Sequence, residues 1–533
     1  MFYFLLFGVP LVFIAYWYFY KKPYSYWKSK GVPQTTPWIF FGDVWPTLFR
    51  IKDMLEWINW FYNMHPTSKY VGMYQFYIPT LVIKDPNLIK QIAIKDFDHF
   101  TDHNVFSATQ EIDDPLWGAN LFTLKGQKWR NMRNLLSASF TSSKMKLMYT
   151  FMAEEAEKFV NFFNKQDEEI IEVDLKDVFT RYTNDVIAST SFGLKINSLE
   201  NPNNEFYQLG QKVSNFSDPV FVFKFFMLSV WPGIFKLLGI TFLSKKVTNF
   251  FVSVIKDAIR TREENDIVRP DMLNILLEIK NGTHPTGEEQ EITDNQFGVA
   301  TESTEFVKSS KTNVKITDDV IAAQAFVFFV AGFETVSSVM CFTCYELALN
   351  RDVQEQLRKE IQDVYDNSNG KPTYENIIGM KYMDMVVSES LRKWPPAPAL
   401  DRLCVKPYVL QDTNPNEPPI QINKDDVIWV PTYGMHYDPK YFPNPEKFIP
   451  ERFSDQLKDR IVPYTYLPFG IGPRLCIGSR FALLEVKSIV FHLVKDFEIV
   501  PTDKTQIPLK LKKSAVNVRA EHGFSLGLKR RMY

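Results

Sequence analysis

Residues 469–478 read Phe469-Gly470-Ile471-Gly472-Pro473-Arg474-Leu475-Cys476-Ile477-Gly478. One cysteine stands in a glycine-rich loop, an arginine stands two residues before it, and an apolar helical pattern runs on from Cys476 to about Phe491. Gly472 lets the backbone turn where a side chain would clash, and Gly478 allows close approach to a flat ligand. A helix N-terminus and converging backbone N–H groups favour the sulfur as an anion. Arg474 is placed to meet a carboxylate. The loop therefore presents one thiolate to a metal from below.

A planar, carboxylate-bearing cofactor with an axial thiolate is haem, which makes Cys476 the candidate metal ligand. The alternative is a glycine loop holding a structural cysteine. The pattern F-x-x-G-x-R-x-C-x-G resembles the haem-binding loop of the cytochrome P450 monooxygenases and matches it at every fixed position, Phe469 included. The resemblance implies a mainly α fold with small β-sheets, a helix-rich triangular prism around haem b.

Length alone, 533 residues, suggests several domains, although large single-unit enzymes break that prior. With 45% hydrophobic and 23% charged residues, the chain can bury a large core. A net charge of −1 argues against a nucleic-acid binder that relies on bulk positive charge. Four cysteines are too few for a disulfide scaffold at this length. Cys341-x-x-Cys344 sits in an apolar helical run with no second ligand pair nearby, so packing explains it better than zinc. His99 and His103 stand at i,i+4 but lack helical patterning and a third ligand.

Residues 2–20 carry no charged side chain, and Lys21, Lys22, Lys28 and Lys30 follow. Such a segment is long enough to span most of a bilayer. The positive flank directs the rest of the chain to the cytosol. The expectation is an uncleaved anchor at 1–20, a proline-containing hinge at 21–45 (Pro23, Pro33, Pro37) and a catalytic domain at 46–533. With the resemblance, that implies the cytosolic face of the endoplasmic reticulum. The sequons at Asn215 and Asn281 would stay unmodified there.

Within the body, Tyr70–Ile83 has strand character, broken at Pro79. Phe151–Phe163 and Asp352–Tyr365 are spaced as amphipathic helices. Asp319–Leu349 is apolar enough to be buried on nearly every side and is interrupted at Ala331-Gly332. Residues 282–316 read as an exposed connection. The Phe-rich stretch 216–251 either packs as core or lies on a membrane surface.

Glu389 and Arg392, at i,i+3, share a helix face ahead of Trp394-Pro395-Pro396, and Glu451-Arg452-Phe453 follows about sixty residues on. This resembles the family's E-x-x-R motif and its P-E-R-F partner, which implies a buried Glu389–Arg392–Arg452 network bracing the cysteine loop. Trp129 and Arg133 share a face at i,i+4. By resemblance they, Arg402 and Arg474 reach the haem propionates. His103 departs from the family, where arginine is common. Ala331-Gly332-Phe333-Glu334-Thr335 matches the oxygen-activation motif: Gly332 opens a groove over iron, and Thr335 with Glu334 passes protons. A threonine bonded to its own backbone is the plain alternative. Phe106, Phe122, Phe328, Ala399 and Phe524 are placed as pocket residues by position.

The resemblance, closest to insect detoxification-type members, implies a membrane-bound monooxygenase. It would insert one atom of O2 into lipophilic substrates, xenobiotics or endogenous lipids and hormones. No flavin or nucleotide-binding motif is visible, so electrons from NADPH would arrive through a cytochrome P450 reductase, with cytochrome b5 as a possible second donor. Lys125, Lys128, Arg130, Arg480 and Lys487 are candidates for a basic docking patch. Two other readings stay open: a haem-thiolate isomerase or dehydratase, and a non-catalytic haem carrier or sensor. Reductase-dependent NADPH consumption separates both from a monooxygenase.

Overall fold

The computed structural model describes residues 17–104, 114–282, 316–411, 419–513 and 517–531. The candidate anchor (1–16 of it), Phe106 and nearly all of the 282–316 connection lie outside the described residues. Helices dominate, with small sheets, in agreement with the expected class.

One helix, Asp318–Leu349, organises the rest. Thr317 caps it, accepting the Val320 N–H at 3.3 Å, and Asp318 and Asp319 oppose the helix dipole in its first turn. Among the described residues it is the one helix long and apolar enough to cross a membrane, yet most of it is buried in protein. Helices Leu175–Ile187, Lys245–Asn265 and Ser479–Asp496 pack around it. Its hydrogen bonding runs unbroken through Ala331-Gly332, so the interruption read from sequence does not occur. Gly332 has another use. A Cβ there would lie 2.8 Å from Ile187 Cδ1, so the missing side chain lets two helices approach closely.

The strands are β1 Tyr70–Gln75, β2 Ile78–Ile83, β3 Ile170–Asp174, β4 Leu400–Leu403, β5 Tyr408–Leu410, β6 Ile420–Ile422, β7 Val427–Val430, β8 Phe497–Val500 and β9 Ser525–Arg530. They form sheets ordered β1-β2-β7-β4, β3-β9-β8 and β5-β6. Tyr70–Ile83 is a hairpin, and Pro79 sits inside β2 opposite Tyr74 rather than breaking it. Pairing of β2 with β7 begins only at Thr80, so Pro79 owes no N–H on that side. Phe151–Phe163 and Asp352–Tyr365 fall within helices Ser142–Asn164 and Arg351–Asn367. Cys341 and Cys344 are free and buried, as packing requires.

Packing does not break at residue 45. Trp27 is fully buried, its indole donates to Met73 O at 3.3 Å, and a Cβ on Gly72 would strike its ring at 2.5 Å. The hinge segment is thus docked on the first sheet. In 216–251, Leu228, Phe235, Phe242 and Phe251 face the core, while Phe223, Leu237 and Leu238 are 61%, 84% and 63% exposed. One side packs, and the other presents apolar surface.

Candidate active site

The cysteine loop is closed by its own backbone: the Cys476 N–H donates to Phe469 O at 2.9 Å, and Leu475 N–H to Gly472 O at 2.8 Å. Gly472 has φ +69°, and a Cβ there would sit 2.1 Å from Ala93 O. Gly472→Ala is expected to cost about 1–3 kcal/mol in backbone strain alone, and the carbonyl clash adds to it. The check is pigment content per purified chain, which should fall sharply. The following helix begins at Ser479, with Gly478 as N-cap, and runs to Asp496. Cys476 therefore stands ahead of the helix, not on it, and the helix is longer than the pattern suggested.

Cys476 lies deep in the protein, yet its side chain is accessible, so it faces an internal space. Burial pushes its thiol up, while the Gly478 N–H and the Arg133 charge pull it down. A Cβ on Gly478 would meet only the Phe140 ring at 3.8 Å, which leaves room above the loop. Phe140 also meets Phe328 of the central helix edge-on at 5.6 Å. On that helix Ala331 and Thr335 are exposed although Val330, Phe333, Glu334 and Val336 are buried, and Phe328 is half-buried. At i, i+3 and i+7, these three share a face. The Thr335 hydroxyl donates to Ala331 O, the backbone bond expected of a helical threonine.

Glu334 points elsewhere. Successive helical residues are about 100° apart, and its carboxylate meets Arg519 Nε at 2.9 Å and Lys176 Nζ at 3.3 Å. Lys176 also donates to the Ser337 and Ser338 hydroxyls. This polar cavity of about 410 Å³ includes Asp174, Gln211, Asn215 and Phe524. Phe524, placed in the substrate pocket from sequence, packs instead on Phe342 at 5.0 Å and lines the Glu334 side. Ala399 packs with the Trp57 and Trp429 cluster beside the first sheet. Phe122 stacks on His103 with ring centres 4.9 Å apart.

Three guanidiniums converge near Cys476. Arg474 lies 3.9 Å over the Trp129 ring and donates to Thr101 O (2.8 Å) and Leu124 O (2.9 Å), with Asp102 at 3.5 Å. Arg402 donates to Asp401 O (2.7 Å) and Ile471 O (2.9 Å), and its buried Nε has no partner. Arg133 is half-buried with no carboxylate paired to it among the described residues. Burial pushes Arg133 and Arg402 down to about 10 and Arg474 to about 9. Asp401 is shared by His103 Nδ1 (2.8 Å) and the Asn104 N–H (2.6 Å). Burial lowers His103 despite that partner. Asp102 and Asp401 thus oppose three cations, and the cluster keeps a positive surplus.

The Glu389 group is buried as one unit. Arg392 Nε and Nη2 donate to Glu389 at 2.7 and 2.9 Å, both side chains are fully buried, and Arg452 Nε joins at 3.3 Å. Arg392 also holds His436 O (2.9 Å) and Pro445 O (2.8 Å). His436, which no motif signalled, completes the link: Nδ1–H donates to Arg392 O at 3.1 Å, and Nε2 accepts the Leu467 N–H at 2.9 Å. The network therefore reaches the strand of chain that enters the cysteine loop.

Burial, and then the Arg392 charge, push the His436 ring down to about 3. The unfolded chain takes up the proton first, so this contribution is complete above about pH 6.5 and is lost as pH falls toward 3. At about 1.4 kcal/mol per unit, wild type should lose about 2 kcal/mol more than His436→Gln between pH 6.5 and 5. Urea midpoints across that range are the check.

The basic patch needs one correction. Lys487 is buried and pairs with Asp384 of helix Lys381–Lys393, so it takes no part in any surface. Arg130 is committed to Asp98. Lys125, Lys128 and Arg480 keep accessible surface.

These residues fit haem. The donor set is one thiol sulfur, the buried Arg402 Nε has no partner and the Arg133 guanidinium has no paired carboxylate among the described residues, as a carboxylate-bearing group would require, and Gly478 leaves clearance for a flat one. Comparison with known proteins agrees. The family model described as Cytochrome P450 matches residues 32–527. Cytochrome P450 9e2 of Blattella germanica is 42% identical over 524 residues, 95% of this chain and 94% of that protein. Probable cytochrome P450 9f2 of Drosophila melanogaster is 42% identical over 515 residues, 95% of each chain. Cytochrome P450 6k1 of Blattella germanica is 39% identical over 499 residues, 93% of this chain and 91% of that protein.

Proposed function

Because the chain belongs to the cytochrome P450 family, and is thus a haem monooxygenase, we propose that it is membrane-bound and oxidises lipophilic substrates with electrons from NADPH through a separate reductase. The observation that carries this reading is one accessible thiol beside a cationic cluster that two carboxylates only partly balance, with a helix face on which Ala331 and Thr335 are open. Haem held on Cys476 supplies the iron that binds and activates dioxygen.

The chain's own residues do the rest. Arg133, Arg402 and Arg474 hold the propionates, and Trp129 supports Arg474 from below. Phe328, Ala331 and Phe122 exclude water and favour apolar substrates. Thr335 Oγ1, its proton given to Ala331 O, offers lone pairs to the space. Glu334 stands between solvent in the polar cavity and the helix face of Thr335, and a proton route through it to the Thr335 hydroxyl requires its carboxylate to leave Arg519 and Lys176. The uncharged residues 2–20 and the exposed apolar face of 219–238 support membrane attachment on the cytosolic side. Accessible Lys125, Lys128 and Arg480 support docking of an acidic electron donor, the reductase or cytochrome b5.

The test is turnover of the full chain with reductase and NADPH under labelled dioxygen over a lipophilic panel. One labelled oxygen atom per product molecule is the expected result. A haem-loaded, reducible protein that consumes no NADPH above the reductase control would overturn the electron route. It would return the isomerase and carrier readings to the front.

A further inference from the structure

Three segments remote in sequence meet at a groove of about 320 Å³ on the surface. Phe41, Leu48 and Arg50 come from the N-terminal segment, Pro219, Val222 and Phe223 from the first turns of helix Pro219–Val230, and Lys512 and Lys513 from the C-terminal region. The floor is apolar, and the three charged side chains lining it are all cations and all exposed. Among the described residues none of the three is paired with a carboxylate. Two acids from the same segments are occupied otherwise. Asp53, whose carboxyl Lys513 influences, caps helix Met54–Asn63 by accepting the Glu56 N–H at 2.9 Å. Asp218 accepts the Val220 and Phe221 N–H groups at 2.8 and 3.2 Å.

The segments that supply the groove also carry exposed apolar side chains, Trp38, Phe40 and Phe49 in the N-terminal one and Phe223, Leu237 and Leu238 in 219–238. Exposed apolar surface on this scale is costly in water. The three cations line a groove that is otherwise largely apolar, the combination that complements a bilayer's phosphates and chains.

We propose that this groove binds the phosphate of an anionic phospholipid through Arg50, Lys512 and Lys513, with the lipid's chains lying along the floor of Phe41, Val222 and Phe223. The proposal rests on the membrane-bound reading above and adds to it a headgroup preference and an address. Arginine supplies a planar fork and the two lysines supply point charges, a mixture suited to a phosphate diester with a second negative group beside it.

The experiment uses the full chain, haem-loaded, in phosphatidylcholine nanodiscs carrying a trace of photoactivatable phosphatidylserine or photoactivatable phosphatidylcholine. Adducts are mapped by mass spectrometry. At about fivefold per cation near an anionic lipid, three give a preference on the order of a hundredfold for the serine lipid at Phe41, Pro219 and Phe223. The triple variant Arg50→Gln/Lys512→Gln/Lys513→Gln should keep its haem and its labelling by the choline lipid but lose the preference. Equal labelling by both lipids in wild type would overturn the headgroup site and leave the membrane contact standing. No labelling of the groove by either lipid would remove this face from the membrane altogether, and the proposal with it.

Discussion

Cys476→Ser is expected to abolish turnover while leaving the fold in place. The side chain is small, opens onto an internal space and makes no side-chain hydrogen bond that the packing depends on. Exchanging sulfur for oxygen therefore costs little stability. The chemistry is another matter. A serine hydroxyl stays protonated near pH 7, so bound haem would lose the anionic sulfur that Cys476 would supply to its iron. Losing a group that merely supports a metal ligand lowers affinity or activity about 10–100-fold, and losing the ligand itself should exceed that. Two measurements check this: the sulfur-to-iron signature in the absorption spectrum should vanish, and product formation should fall below detection. A variant that retained both would show that another group ligates the iron. Among the described residues no cluster of histidines, cysteines and acids offers a substitute.

The second large effect is in stability. Arg392→Ala leaves Glu389 fully buried with only Arg452, at 3.3 Å, to oppose its charge. It also strips donors from His436 O and Pro445 O. Breaking a buried pair from one side costs about 3–5 kcal/mol, a large share of the net stability of a folded protein. Arg392→Lys should recover only part, because an ammonium cannot make the paired contact to both Glu389 oxygens. The double change Glu389→Met/Arg392→Met removes both charges and should be less destabilised than Arg392→Ala. Denaturant midpoints rank the three variants, and pigment content reports the cysteine loop. If Arg392→Ala matched wild type in both, the network would not brace that loop.

The haem loop was legible because its chemistry is local. Ten consecutive residues contain the candidate ligand, the turn at Gly472 and Arg474, and no long-range contact is needed to recognise them. The Glu389–Arg392 pair was legible for the same reason, since i,i+3 spacing fixes its face. Orientation around the central helix was not. Glu334 and Thr335 are adjacent in sequence, but Arg519, 185 residues downstream, draws the carboxylate into one cavity while Thr335 faces another. Gly332 read as an opening in the helix and proved to be where Ile187 of a neighbouring helix fits. Lys487 looked like surface charge until Asp384, on another helix, took it into the interior.

The family and the helix-rich class, with Cys476 as the candidate ligand, are written in short spacings and periodicities. The tertiary structure alone decided that Asp102 and Asp401 partner the cationic cluster, that His436 joins the Glu389 network to the loop, and that Arg50, Lys512 and Lys513 share one groove. Each of those contacts joins residues hundreds or tens of positions apart. Charge and hydrogen bonding act through space, and only folding sets those distances.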